Sequence, residues 1–227
     1  MLDLYIGNKN YSSWSLRPWV LMRELNIPFR EILVPFGGTR KPDAFRAFSP
    51  TGKVPCLVDG TTTVWDSLAI TEYLAERHAG VWPADAVARA WARSAAAEMH
   101  SGFQAMRNIC GMNCGLRIRL HAIDASLTRD LRRIEQLWAD GFARFGGPFL
   151  AGGGFSAADA FFAPVALRIQ TYDPPLDETA RRYAARLREL PAMLQWYEAA
   201  LTETWRDPEH EDEVRAVGAW IRDLRAK

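Results

Sequence analysis

Residues 2–34 read Leu2-Asp-Leu-Tyr-Ile6-Gly-Asn-Lys-Asn-Tyr11-Ser-Ser-Trp-Ser15-Leu-Arg-Pro-Trp-Val20-Leu-Met-Arg-Glu-Leu25-Asn-Ile-Pro28-Phe-Arg-Glu-Ile-Leu-Val34. The run from Leu2 to Ile6 is β-rich and closes on Gly7. From Ser15 to Leu25 the apolar residues Leu16, Trp19, Val20, Met22 and Leu25 recur at helical spacing, and Asn26 and Pro28 are stop signals. Phe29 to Val34 alternates in part and is β-branched, which predicts a second strand. Strand, helix and strand within about thirty residues require a parallel pair with a crossover helix.

Outward from this unit, Pro55-Cys-Leu-Val58 and Thr62-Thr-Val-Trp65 flank Asp59-Gly60, a strong short-range cue for a hairpin. A short helix is expected around Pro42 to Phe48, and another helix from Ser67 to His78. Gly80-Val-Trp-Pro83 reads as a linker. Everything beyond it reads as helix: Asp85 to about Asn113, Asp124 to Phe145, Ser156 to Gln170, Glu178 to Leu190, Ala192 to Thr202 and Glu211 to Arg225. The predicted fold class is α/β followed by all-α, a thioredoxin-like domain at 1–79 and a helical bundle domain at 85–227.

Composition narrows the function. The 227 residues are 48% hydrophobic and carry a formal net charge of +1, which supplies no field for a polyanion, so neither nucleic acid nor an anionic membrane is expected as a partner. A chain of this mass buries enough surface for a core, folding from about 37,000 Å² to about 10,000 Å². Three cysteines cannot make a disulfide framework, the first residues lack a signal-peptide pattern, and no apolar run approaches a membrane span. A reduced, cytoplasmic protein is expected.

Ser12, Ser13 and Ser15 lie between the first strand and the first helix, where a hydroxyl and free N–H groups favour an anion; the same position also suits a plain N-cap. Asp66-Ser67 opens another helix in the same manner. Met99, Phe103, Met106 and Arg107 recur at spacings of three and four with His100 beside them, the pattern of core, dimer seam or an apolar pocket. Cys110 and Cys114 have no further ligands at metal-site spacing, and no Cys-x-x-Cys is present, so neither a metal nor disulfide exchange is expected. Gly152-Gly-Gly154 reads as a turn and Ser156 with Asp159 as a capping box.

Taken together, Ser12-Ser13-Trp14-Ser15-Leu16-Arg17, Ser49-Pro50-Thr51-Gly52-Lys53-Val54-Pro55-Cys56-Leu57, Asp66-Ser67 and Phe155-Ser156-Ala157-Ala158-Asp159 resemble the cytosolic glutathione S-transferase superfamily in order and spacing. The start is most similar to serine-type, zeta-like members, but Trp14 stands where the zeta pattern has cysteine. The resemblance implies glutathione as co-substrate, a homodimer, and a transferase acting on a small hydrophobic or anionic electrophile. The alternatives are a glutathione-dependent isomerase, a peroxidase, or a non-catalytic binding module.

Counting back four residues from Arg17, as serine-type members have it, selects Ser13 as the thiolate donor, with Ser12 second and Tyr11 as a tyrosine-type alternative. The resemblance further implies a cis Val54–Pro55 bond that offers the Val54 backbone to glutathione's cysteine. It places Asp66 and Ser67 at the γ-glutamyl end; Lys53, or alternatively Arg40 or Lys41, is a candidate partner for the glycyl carboxylate. Phe103, Met106 and Arg107 would line the electrophile pocket.

Overall fold

Leu4 and Ile6 alternate along β1 (Leu2–Ile6) and are fully buried. This inward face makes β1 a central strand. It pairs in parallel with β2 (Phe29–Leu33) through the crossover helix α1 (Ser13–Glu24), and antiparallel with β3 (Cys56–Asp59). The Asp59-Gly60 turn returns the chain as β4 (Thr62–Trp65), giving the order β2-β1-β3-β4, and α2 (Ser67–Ala75) follows. The computed structural model describes residues 1–36 and 44–226. The short helix expected around Pro42 to Phe48 falls partly outside them; of its described part, Phe45 to Ser49 forms a turn closed by Ser49 N–H donating to Phe45 O at 2.9 Å.

This thioredoxin-like unit is followed by helices. α6 (Ala157–Tyr172) is buried along its whole length except at Gln170, as a helix that is apolar all round must be. α1 packs against it and against α8 (Pro191–Thr202), where Trp19 meets Trp196 edge-on with ring centres 5.1 Å apart. Asp159, fully buried, accepts from Ser156 N–H at 2.9 Å and Ser156 Oγ at 3.1 Å as the capping box of α6. It also accepts from Leu150 N–H at 3.0 Å and from Tyr183 Oη, on α7 (Glu178–Arg188), at 2.7 Å. The box therefore also ties α6 to its neighbours.

Two helical expectations are corrected. The helix from Asp85 to Asn113 is broken into α3 (Ala86–Ser101) and α4 (Gln104–Ile109). Gly102 lies so close to Glu98 O that an added Cβ would sit 2.8 Å from it, and Phe103 turns with φ +58°. The helix expected from Glu211 to Arg225 ends at Val217: α9 (Pro208–Val217) leads into β6 (Gly218–Asp223), which pairs antiparallel with β5 (Leu116–Leu120). Leu116 and Ile118 point inward while Arg117 and Arg119 point outward, a period of two that only a strand satisfies. α5 (Ala125–Phe145) completes the elements. Among the described residues no helix is long and apolar enough to cross a membrane.

Buried carboxylates clasp the C-terminal segment to the N-terminal unit: Glu203 accepts from Lys9 N–H at 2.7 Å and Asn10 N–H at 3.2 Å, and Glu211 makes a second clasp. Glu211 accepts from Tyr11 Oη at 2.7 Å and Asn113 Nδ2 at 3.2 Å, and pairs with both Nη atoms of buried Arg225, one of them at 3.1 Å. Burial alone would raise its carboxyl, but the bonds from Arg225 and Tyr11 outweigh that and hold it below the usual carboxylate range. A depressed acid stabilises the fold above its unfolded pKa of about 4.3 and loses that contribution as pH falls through the lower folded value. Glu211→Gln is expected to cost about 1–2 kcal/mol at pH 7, since Arg225 loses one of its two carboxylates and keeps Asp223, 2.7 Å away. Urea unfolding across a pH series should show this gap closing below about pH 4.

Candidate functional site

The site is built on the N-terminus of α1. Ser12 is its N-cap and donates its hydroxyl to Ser15 Oγ at 2.7 Å, while Gly7 N–H donates to Ser15 Oγ at 3.2 Å. The Ser12 proton is thus turned inward. Ser13, the first helical residue, instead accepts from Arg168 Nη2 at 3.2 Å, which leaves its own proton to donate. Arg168 stands on α6 and its Nε donates to Cys110 O at 2.7 Å. Tyr11 gives its hydroxyl to Glu211 and is pushed above the usual phenol range, first by burial and then by that bond.

Across from α1, the Val54–Pro55 bond is cis. The β1–β3 register begins at Cys56, so Val54 stands outside the ladder. Asp66, the N-cap of α2 at φ +76°, accepts from Leu68 N–H at 2.8 Å, and its other oxygen is 3.5 Å from His100 Nε2. Ser67 is buried beneath it and accepts from Arg17 Nη1 at 3.4 Å. Lys53 is exposed. Arg40 and Lys41 lie outside the described residues.

These elements border one groove. A cavity of about 450 Å³ is lined by Trp14, Lys53, Val54, Pro55, Asp66 and Ser67, among others. A second, of about 520 Å³, shares Trp14, Lys53 and Val54 with it and continues past Ser12 and Ser13 to Arg107 and Arg168. Of the three residues expected to line an electrophile pocket, Arg107 reaches this second cavity. Phe103 and Met106 belong to the hydrophobic core, because the break at Gly102 rotates α4 relative to α3. Phe36, Phe45, Met112 and His210 line it instead. Arg168 is not among the residues singled out from the sequence, although a charge at the end of the apolar run that follows Asp159 in α6 is an anomaly.

The site is electropositive. Arg107 donates to Gly102 O at 2.9 Å and to Met99 O, and Arg17 donates to Met99 O at 3.5 Å, so both guanidiniums sit on the negative end of α3. Each also lies within 5 Å of the Trp14 ring, at 4.1 Å for Arg17 and 4.8 Å for Arg107. Burial, reinforced by Arg107 and Arg168, pulls Arg17 well below its usual range, and burial brings Arg107 down to about 10. Burial likewise lowers His100, against the opposing pull of Asp66. Cys110 and Cys114 are buried, each thiol pushed up to about 12, and among the described residues no cluster suited to a metal is present.

Residues 11–77 match the family described as "Glutathione S-transferase, N-terminal domain" and residues 84–199 that described as "Glutathione S-transferase, C-terminal domain". The chain belongs to the glutathione S-transferase family. Among curated proteins it is similar to the glutathione S-transferase-like protein OpS6 of Beauveria bassiana, 24% identical over 85% of this chain and 92% of that protein. Among solved structures it is similar to the theta class glutathione S-transferase of Xanthomonas axonopodis pv. citri with glutathione bound, with TM-score 0.64 and 25% identity over 90% of this chain and 99% of that one. The maleylacetoacetate isomerase of Methylobacterium extorquens, with malonate and glutathione bound, shares the fold at TM-score 0.63 and 23% identity over 86% and 95% of the two chains.

Proposed function

We propose that this protein is a glutathione transferase that uses Ser13 to hold the glutathione thiol as thiolate. The observation that supports it best is the Ser13 hydroxyl itself: at the first turn of α1, it accepts from Arg168 and faces the groove that Val54 and Asp66-Ser67 border. A zwitterionic tripeptide fits these residues. The Val54 backbone, outside the ladder, can pair with the cysteinyl backbone. Ser67 and the first N–H groups of α2 suit the γ-glutamyl carboxylate, Asp66 its ammonium, and Lys53 the glycyl carboxylate. When bound, glutathione supplies the nucleophilic sulfur. Ser13 donates to it, and the α1 N-terminus and Arg168 add positive potential. Lowering a thiol pKa by about two units takes about 2.7 kcal/mol, within reach of one hydroxyl and a helix terminus. Trp14 stands where the two cavities join.

In this reading the units divide at residues 80–84, between 1–79 and 85–227, and the chain works in the cytoplasm as a homodimer on family grounds. The experiment is retention on immobilised glutathione together with a conjugation assay over a panel of electrophiles. Retention with turnover is expected. Retention without turnover of any electrophile would favour a binding module, and failure to be retained would remove glutathione from the site.

A further inference from the structure

Arg168 is a cation in the central helix, 6% exposed, and both acceptors it meets are neutral: Cys110 O and Ser13 Oγ. Its second terminal nitrogen, Nη1, is buried without any acceptor among the described residues. An unpaired guanidinium N–H inside a protein is costly, and more so beside like charges. Arg107 lines the same cavity, and it is bonded to the carbonyls that close α3, not to a carboxylate. The acids nearby serve other ends. Glu213 lines the cavity as the exposed outer residue of α9, Asp130 accepts from Met106 N–H at 2.9 Å, and Asp66 caps α2. Burial lowers the proton affinity of Arg17, Arg107 and Arg168 alike, an electrostatic cost that an incoming anion relieves. Phe36, Phe45 and Met112 give the lining an apolar wall, and Lys53 and His210 border the same cavity.

We propose that the second cavity is a binding site for an organic acid, its apolar body against Phe36, Phe45 and Met112 and its carboxylate received by Arg168 and Arg107. A planar guanidinium with free N–H groups is the natural receptor for a carboxylate. Because one nitrogen of Arg168 already holds Ser13 Oγ, the acid would lie on the same wall as the thiol donor. The inference deepens the transferase reading, in which this cavity takes the second substrate, by making that substrate anionic. It can be tested without turnover.

Isothermal titration of the full chain with naphthoate and with its uncharged isostere naphthamide is the test, run with and without saturating S-methylglutathione. The acid is expected to bind at least about tenfold more tightly than the amide. Arg107→Met and Arg168→Met should each remove most of that preference, and S-methylglutathione should leave it in place. Arg107→Met, at a half-buried position, guards against an Arg168→Met chain that fails to fold, and the acid-to-amide ratio of the wild type needs no variant. Equal affinity for acid and amide would overturn the proposal. So would complete displacement of naphthoate by S-methylglutathione, since the arginines would then serve glutathione's own carboxylates. A chain that selects naphthoate but conjugates nothing would keep the acid site and remove the transferase reading.

Discussion

Ser13→Ala should lower kcat/KM for conjugation at neutral pH by about a hundredfold, the usual cost of deleting one donor aimed at a developing or resident anion. The loss should be pH-dependent in a defined direction. The hydroxyl stabilises the thiolate, so its removal raises the thiol pKa, and the variant should recover much of its rate as pH rises toward the free-thiol value of about 8.5. Ser12→Ala should cost less than about tenfold, because the Ser12 proton is spent on Ser15 Oγ and the change is felt as a lost buried hydrogen bond. Pre-steady-state rates and the ultraviolet absorbance of bound thiolate, followed across pH for both variants, check this. Equal losses in the two variants would move the donor role away from Ser13.

Asp159→Ala should be strongly destabilising, at about 4 kcal/mol. The carboxylate is fully buried and accepts from four donors: the Leu150 and Ser156 N–H groups and the Ser156 and Tyr183 hydroxyls. Alanine strands all of them in the interior, each an unpaired group whose burial costs about 1–3 kcal/mol before relaxation. It also uncaps α6, the helix against which α1 and α3 pack. Tyr183→Phe removes one donor together with its acceptor bond and should cost about 1 kcal/mol. Urea midpoints at constant slope measure both, and an Asp159→Ala chain as stable as Tyr183→Phe would contradict the account.

What could be read in advance follows from how local each signal is. The β1-α1-β2 unit and the Asp59-Gly60 hairpin are written in short segments, and all their elements stand within a few residues of expectation. Ser12, Ser13, Lys53, Val54, Pro55, Asp66 and Ser67 were legible as one set through the resemblance of their motifs to the glutathione S-transferase superfamily, since position alone suits plain capping equally well, and they line the two adjoining cavities. The break at Gly102 was not, since an isolated glycine costs a helix only about 1 kcal/mol and the apolar spacing continues through it. The β5–β6 pair joins residues about a hundred positions apart, a partnership that no window along the chain contains. Arg168 stands in a helix whose packing hides which face meets the site; its meaning comes from Ser13 Oγ at 3.2 Å.

The central claim is that Ser13 holds the glutathione sulfur, and a crystal structure of the chain with glutathione tests it most directly. The account predicts the sulfur within about 3.5 Å of Ser13 Oγ, with the cysteinyl backbone paired to Val54. Sulfur resting instead against Ser12 or Tyr11, or a tripeptide bound away from the Val54 edge, would contradict it.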